Sequence, residues 1–290
     1  MNKQLHKQYP YSMLIPGIVI FLLFFVTPTF QGIGYSFTNW DGFSAKWVGL
    51  DNFKSFFSDP TLTHIVRNTF VFTIVSTIFK LVLGILLALM VNRELKTKGF
   101  LRTVFYSPAV LSNIAVGLIF VSILHPESGI LNRSLSAIGL GSITEDWLHN
   151  PDIAIYSVSA IEVWKWTGFN MIILLAGLQT IPKDYYEAVS IDGASAWSRF
   201  WHITFPLLMP AFNSVFILNL IGGLKVFDMI TATTGGGPGT TTEVINTWVY
   251  KAYGASRLGE SSAGSFVLAI MVALVSLITY YFLRRREVEL

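Results

Sequence analysis

A polar loop between two long apolar runs decides the fold of this chain, and it reads Pro182-Lys-Asp-Tyr-Tyr-Glu187-Ala188-Val-Ser-Ile-Asp192-Gly193-Ala-Ser-Ala-Trp-Ser-Arg199-Phe-Trp-His202-Ile-Thr-Phe-Pro206-Leu-Leu-Met-Pro210. A short turn would be enough to connect two membrane spans. This loop is long enough for two amphipathic helical turns hinged at a glycine. It therefore predicts a surface that docks something outside the membrane.

The residues of this loop predict its local structure. Lys183–Ile191 contain no helix breaker, and the preceding proline suits a first helical position. Gly193 should end this helix, because glycine takes the left-handed conformation without strain. Ser195 is a suitable N-cap for a second helix, which Pro206 and Pro210 are expected to close before the next span begins. A short interfacial hairpin without a partner is the alternative interpretation.

The composition is that of a membrane protein. Hydrophobic residues make up 52% of the 290 residues and charged residues 13%, a balance typical of chains that cross a bilayer repeatedly. Six segments reach the ~20 apolar residues needed to span the bilayer core. We expect an all-α polytopic protein, one membrane domain over 1–290, with spans at about 12–34, 69–91, 104–124, 153–178, 207–230 and 264–283.

Lysine and arginine predict the orientation, because cytoplasmic loops carry the excess of both. With the N-terminus inside, eleven such residues lie on the inner side and six in the longer outer loops. The inner residues are Lys3, Lys7, Arg93, Lys96, Lys98, Arg102, Lys183, Arg199, Arg284, Arg285 and Arg286. The outer residues are Lys46, Lys54, Arg67, Arg133, Lys251 and Arg257. Both termini and the loop 181–206 are thus predicted to be cytoplasmic.

Charged and aromatic residues in the fourth span indicate a binding site. Glu162, Lys165, Trp166 and Phe169 share one helical face, and Trp164 lies beside it. Charges at membrane depth are costly and usually face a cavity or a partner. Tryptophan rings can cover the C–H side of a sugar while a carboxylate binds its hydroxyls. A Glu162–Lys165 pair, with the tryptophans at the membrane interface, is the alternative.

The fifth and second spans add polar candidates. Asn219 shares a stripe with the pair Gly222-Gly223, which would loosen the helix or let another backbone approach. Lys225 and Asp228 are spaced to pair at i,i+3. Lys80 is expected to pack between helices or to snorkel.

No residue pattern indicates catalysis or a metal site. The chain has no cysteine, its five histidines are scattered, and the glycine-rich segment 235–239 lacks the lysine of a phosphate loop. We therefore expect no cofactor, metal ion or nucleic acid on this chain. Any ATP hydrolysis would need another subunit.

The loop resembles the EAA loop of binding-protein-dependent ABC importer permeases. The resemblance is carried by Glu187-Ala188-Val189, Asp192-Gly193-Ala194 and Ile203-Thr-Phe-Pro206-Leu-Leu. Three further strings are similar to the carbohydrate branch, in particular the maltose-type first permease: Phe37-Thr-Asn-Trp40-Asp41-Gly42, Val48-Gly-Leu-Asp51-Asn-Phe53 and Thr234-Gly-Gly-Gly-Pro238. The resemblance covers nearly the whole chain.

This resemblance implies a type I ABC importer permease fold with six transmembrane helices in a prokaryotic plasma (inner) membrane. The implied partners are a second homologous permease, two ATPase subunits that bind ATP and Mg²⁺, and an extracytoplasmic sugar-binding protein. The residues implied for coupling to the ATPase are Glu187, Ala188, Asp192 and Gly193. Those implied for binding an oligosaccharide are Glu162, Trp164, Trp166, Phe169, Asn219 and Gly223. The maltose-type subunit has amides in place of Glu162 and Gly223, so the particular sugar stays open.

An ion-coupled secondary transporter that uses the intramembrane charges is the alternative function, and a membrane scaffold is a third. ATP dependence and co-purification with an ATPase would favour the importer. Uptake driven by an ion gradient alone would favour the secondary transporter.

Overall fold

The computed structural model describes residues 11–93, 96–191 and 193–284. Helices dominate this part of the chain, and the only strand-like pairing within it is an isolated bridge between Thr38 and Trp47. The all-α fold class is therefore confirmed. In chain order the helices are α1 (Ile15–Tyr35), α2 (Asp51–Ser58), α3 (Pro60–Val91), α4 (Lys98–Val110), α5 (Asn113–Ile123), α6 (Ile130–Ala137), α7 (Ala154–Thr180), α8 (Lys183–Ile191), α9 (Ala196–Leu224), α10 (Asp228–Thr233), α11 (Ile245–Gly254) and α12 (Leu258–Arg284).

Backbone contacts divide the described chain into two compact units. The smaller unit holds the residues up to Asp59 together with Val249–Val267. The larger unit holds Pro60–Trp248 and the described residues from Leu268 onward. All candidate substrate residues and the loop 181–206 belong to the larger unit.

Three long helices, α3, α7 and α9, form the core of the larger unit. Helix α7 packs along α3, and α9 packs against both. Apolar residues surround each of these helices, which is typical of helices buried among others or in lipid. Two clusters of buried side chains fill the contacts, one including Phe72 and Ile161, the other Leu174 and Leu208. The polar residues between them are therefore held on helices fixed by packing.

The predicted spans correspond only in part to single helices. By length and apolar composition, four described helices qualify as membrane spans, namely α1, α3, α9 and α12, and the bent pair α4–α5 makes a fifth. Helix α7 covers the predicted fourth span but is not among them, and it carries Glu162 and Lys165. The total of six spans stays a prediction.

The predicted span 104–124 is not one continuous helix. Helix α4 ends at Val110, α5 begins at Asn113, and the two are bent by 96°. Leu111 has the extended backbone angles that separate them. Pro108 lies just before the break, and its ring and missing N–H weaken the helix there. The sequence thus contained a signal for this interruption.

The predicted span 207–230 is also interrupted. Helix α9 ends with Lys225 as its C-cap, and Asp228 begins α10. The pair Gly222-Gly223 lowers helix propensity at this end, and the side-chain amide of Asn246 donates to the Lys225 carbonyl at 3.0 Å. Lys225 and Asp228 therefore lie on different elements, so the i,i+3 spacing of one continuous helix does not apply to them.

The loop 181–206 forms two helices, but the second does not end at Pro206 as predicted. Ser195 caps α9, its hydroxyl oxygen accepting from the Ser198 N–H at 3.2 Å. Helix α9 then passes through a π-helical turn at Phe200–Thr204 and continues into the apolar segment. Pro206 falls in the first turn after the π-helical turn, where its missing N–H is tolerated. One helix therefore runs from the polar loop to the polar residues of the fifth span.

In the smaller unit, the segment after α1 forms a tight loop at Asp41. A carboxylate oxygen of Asp41 accepts from the backbone N–H of Ser44 at 2.8 Å and of Phe43 at 2.9 Å. These two hydrogen bonds stabilise the carboxylate and hold the pKa of Asp41 below its usual value. The loop presents Phe43 fully exposed at its tip.

Candidate functional site

A buried ion pair joins the second and fourth spans. Lys80 Nζ lies 3.8 Å from Glu162 Oε1, and the two side chains are 3% and 11% exposed. Of the two expectations for Lys80, packing between helices agrees with its burial beside Glu162, and snorkelling is wrong, because its ammonium neutralises Glu162 inside the protein. Removing a charge from water is costly unless a partner compensates it, and each residue supplies that partner to the other.

Lys165 faces the break between α4 and α5. Its ammonium donates to the carbonyl of Leu111 at 2.6 Å, with the Ala109 carbonyl at 3.3 Å and the Pro108 carbonyl at 3.4 Å. The Lys165 side chain is almost completely buried. The alternative of a Glu162–Lys165 pair is therefore wrong, since each residue has a different partner.

A cavity of about 400 Å³ opens beside the Lys80–Glu162 pair. Six of the polar and aromatic residues predicted from the sequence line it: Glu162, Trp166, Phe169, Asn219, Lys225 and Asp228. The rings of Trp166 and Phe169 meet edge to face with centroids 5.8 Å apart. The cavity thus combines charged, amide and aromatic groups, which suits a ligand with both polar and apolar faces.

Two amide groups at the cavity have unused hydrogen-bonding capacity. Asn219 is 7% exposed, and its oxygen accepts from the Asn170 amide at 3.5 Å. Within the described residues, the buried Asn219 nitrogen and the buried Asn113 oxygen have no hydrogen-bond partner. Buried polar atoms are rarely left unpaired. A hydroxylated ligand could satisfy one donor and one acceptor here.

Trp164 and Gly223 are not brought to this cavity, contrary to expectation. Trp164 packs edge to face on Phe120, with centroids 5.2 Å apart, on another side of α7. At Gly223 an added Cβ would lie 2.9 Å from the Cα of Thr73. Glycine is therefore required there for the close approach of α9 to α3, as the sequence suggested for the glycine pair. It is Gly222 that lines the cavity.

Lys80, Asn113 and Gly222 are among the lining residues that were missed as ligand contacts. A charge inside a span is by itself a signal for a functional site, and Lys80 could have been paired with the only acidic residue of the fourth span. Asn113 becomes a candidate once Pro108 is recognised as the signal for a nearby helix end.

The structure describes three of the four predicted coupling residues. Glu187 and Ala188 are exposed on α8. Gly193 has φ +69°, as its predicted role in ending the helix requires, and the Ala194 N–H donates to the Val189 carbonyl at 3.3 Å. Asp192 lies outside the described residues.

A contact not foreseen from the sequence ties α8 to α9. The hydroxyl of Tyr186 donates to the Thr204 hydroxyl oxygen at 3.4 Å. Thr204 is the last residue of the π-helical turn. This hydrogen bond therefore links α8 to the π-helical turn of α9.

Residues 80–287 match the family described as the binding-protein-dependent transport system inner membrane component. The chain belongs to this family. This permease is 34% identical to the multiple sugar-binding transport system permease protein MsmF of Streptococcus mutans, over 99% of both chains. Among solved structures it is similar to a bacterial ABC transporter that imports the acidic polysaccharide alginate, with 30% identity and a TM-score of 0.82 over 95% of this chain and 94% of the other. It also matches the alginate transporter in complex with an alginate-bound periplasmic protein, with 29% identity and a TM-score of 0.82 over 95% and 93%.

Family membership identifies the chain as an inner-membrane component with the fold of an ABC importer permease. It is a transport subunit and not an enzyme, and it works with an ATPase and a binding protein. The secondary transporter and the scaffold considered from the sequence are not supported. Of the charges that suggested ion coupling, Lys80 and Glu162 neutralise each other, and Lys165 donates to a backbone carbonyl.

Proposed function

We propose that this permease imports neutral oligosaccharides as one of two homologous permeases, driven by two ATPase subunits and supplied by an extracytoplasmic sugar-binding protein. The polar cavity between α3, α7 and α9 is the observation that carries this proposal. It offers aromatic rings and unused amide groups, which match the C–H faces and hydroxyls of a sugar.

The charges of the cavity favour a neutral sugar over an acidic one. Lys80 and Lys225 are balanced by Glu162 and Asp228 among the lining residues. A carboxylate-bearing sugar would enter a cavity with no excess of positive charge. A neutral sugar would meet no such electrostatic cost. Among the proteins similar to this chain, one is named for a multiple sugar-binding transport system and another imports the acidic polysaccharide alginate.

Coupling is assigned to α8 and its glycine turn on the cytoplasmic side. Exposed Glu187 would pair with a basic group of the ATPase, Ala188 would permit close contact, and Gly193, together with Asp192, would form the turn. ATP and Mg²⁺ would bind the ATPase and not this chain. The cytoplasmic position follows from the excess of lysine and arginine in the segments on that side.

The test is uptake by proteoliposomes that contain both permeases, the ATPase and the binding protein. We expect ATP-dependent uptake of a neutral oligosaccharide and little uptake of an acidic one. Glu187→Lys and Gly193→Val should lower uptake per ATP hydrolysed, because the first reverses a docking charge and the second strains a left-handed turn. Ser190→Ala, on the same helix, is the matched control. Normal coupling in both variants, or uptake driven by an ion gradient without ATP, would overturn the proposal.

A further inference from the structure

The ammonium group of Lys165 occupies the break between α4 and α5. In a continuous helix the carbonyls of Ala109 and Leu111 would accept from the N–H groups four residues later. The break removes those donors and leaves the carbonyls at the end of α4 without them. The Lys165 ammonium lies 2.6 Å from the Leu111 oxygen and 3.3 Å from the Ala109 oxygen. Its three N–H donors are thus directed to a set of backbone oxygens.

The position of Lys165 is set by close packing of α7 against α4. One turn further along α7, a Cβ added at Gly168 would overlap the Phe105 carbonyl. The Lys165 side chain is 1% exposed, so water does not compete for its ammonium. A positive charge at a helix C-terminus also interacts favourably with the helix dipole. The Lys165 ammonium therefore donates to carbonyls that would accept from backbone N–H groups if the helix were continuous.

The break that Lys165 occupies determines one wall of the cavity. Asn113 is the first residue of α5 and lines the cavity. Its side-chain amide donates to Asp228 Oδ2 at 3.1 Å, and Asp228 is the first residue after the break of the fifth span. The two breaks therefore meet at this hydrogen bond. If the third span straightened, Asn113 would leave its present position and Asp228 would lose this hydrogen bond.

We infer that Lys165 is a positioning residue, whose ammonium fixes the bend of the third span and thereby holds Asn113 and Asp228 at the cavity. Its role in transport rests on the proposed function, whereas its role in the bend does not. Two separate measurements keep these apart.

The first measurement is the distance between spin labels on α4 and α5 in the reconstituted importer. The chain has no cysteine, so Phe100→Cys and Leu118→Cys, at two exposed positions, can be labelled alone. Their backbones would lie about 27 Å apart on a straight helix and roughly 19 Å apart across the bend, at ~1.5 Å per residue. We expect Lys165→Met to lengthen or broaden this distance. Lys54→Met, which removes an exposed lysine, should leave it unchanged.

The second measurement is chemical rescue of uptake. Lys165→Ala removes the ammonium and leaves room for propylammonium, which carries the same three N–H donors. We expect at least a tenfold loss of maximal uptake, with partial recovery by propylammonium. Tetramethylammonium has the same charge but no N–H donor, and it should not restore uptake.

An unchanged label distance in Lys165→Met would overturn the role in the bend, whatever uptake does. A longer distance combined with normal uptake would overturn the role in transport and leave the proposed function intact. Equal recovery with both ammonium ions would show that charge alone matters, and it would overturn the role of the hydrogen bonds.

Discussion

Replacing Glu162 by glutamine should destabilise this permease, because the substitution leaves the Lys80 ammonium buried without its partner. The two side chains are 3% and 11% exposed and their charged atoms lie 3.8 Å apart. At that distance and an effective dielectric constant of ~20, the Coulomb energy is about 4 kcal/mol. Breaking one side of a buried pair usually costs ~3–5 kcal/mol. Both arguments therefore predict that Glu162→Gln and Lys80→Met each lower the free energy of unfolding by ~3–5 kcal/mol.

The double variant Lys80→Met with Glu162→Gln should be more stable than either single variant, since it leaves no uncompensated charge. The measurement is the free energy of unfolding in mixed detergent and SDS micelles, for the four members of this cycle. Lys54 and Asp51 form a matched control pair, at 3.0 Å but with 72% and 68% of the side chains exposed. Lys54→Met should cost less than about 1 kcal/mol, because exposed pairs contribute little.

The same cycle distinguishes the ion pair from a direct role of Glu162 in binding sugar. If the pair is structural, transport in the double variant should recover together with stability. If Glu162→Gln is no less stable than the Lys54→Met control, the reasoning about the buried pair is refuted. Loss of transport in that variant would then assign Glu162 to the ligand alone.

Three other outcomes are expected. Trp166→Ala should weaken uptake through a loss of about 1–3 kcal/mol in sugar-binding free energy, by analogy with the stacking of bases on aromatic rings. Trp164→Ala should leave sugar affinity unchanged, because its ring lies outside the cavity. Equal effects of the two substitutions on the KM for uptake would contradict this assignment. Tyr186→Phe removes the hydrogen bond to Thr204 and should lower the amount of sugar transported per ATP hydrolysed. Tyr185→Phe, on the exposed side of the same helix, should leave this ratio unchanged. A normal ratio of sugar to ATP in Tyr186→Phe would mean that the contact does not contribute to coupling. The isolated chain should hydrolyse no ATP, measured by phosphate release, and robust turnover would overturn the division of labour between permease and ATPase.

Local signals in the sequence were sufficient for three features of the loop 181–206. The end of α8, the left-handed Gly193 and the cap at Ser195 each depend on one residue and its immediate neighbours. Such features follow from backbone sterics and short-range hydrogen bonds. The prediction was wrong at Pro206, because the helix continues from the polar loop through the π-helical turn Phe200–Thr204 and past the proline.

For the cavity, periodicity on α7 correctly grouped Glu162, Trp166 and Phe169, because residues three or four apart share a helical face. It could not assign partners. Lys165 was placed with Glu162 by spacing alone, yet each side chain binds a group from a different helix.

The sequence by itself determined that this chain is an all-helical membrane protein with a hinged polar loop, because composition, hydrophobic length and turn residues are local properties, and the motifs of that loop carried its resemblance to importer permeases. Only the tertiary structure decided that Lys80 neutralises Glu162, that Lys165 occupies the break before Asn113, and that Gly223 faces Thr73. The reason is that a buried charge is satisfied by whichever neighbour the packing supplies. That neighbour comes from a helix distant in the sequence, so its identity is fixed by how α3, α4, α7 and α9 pack together.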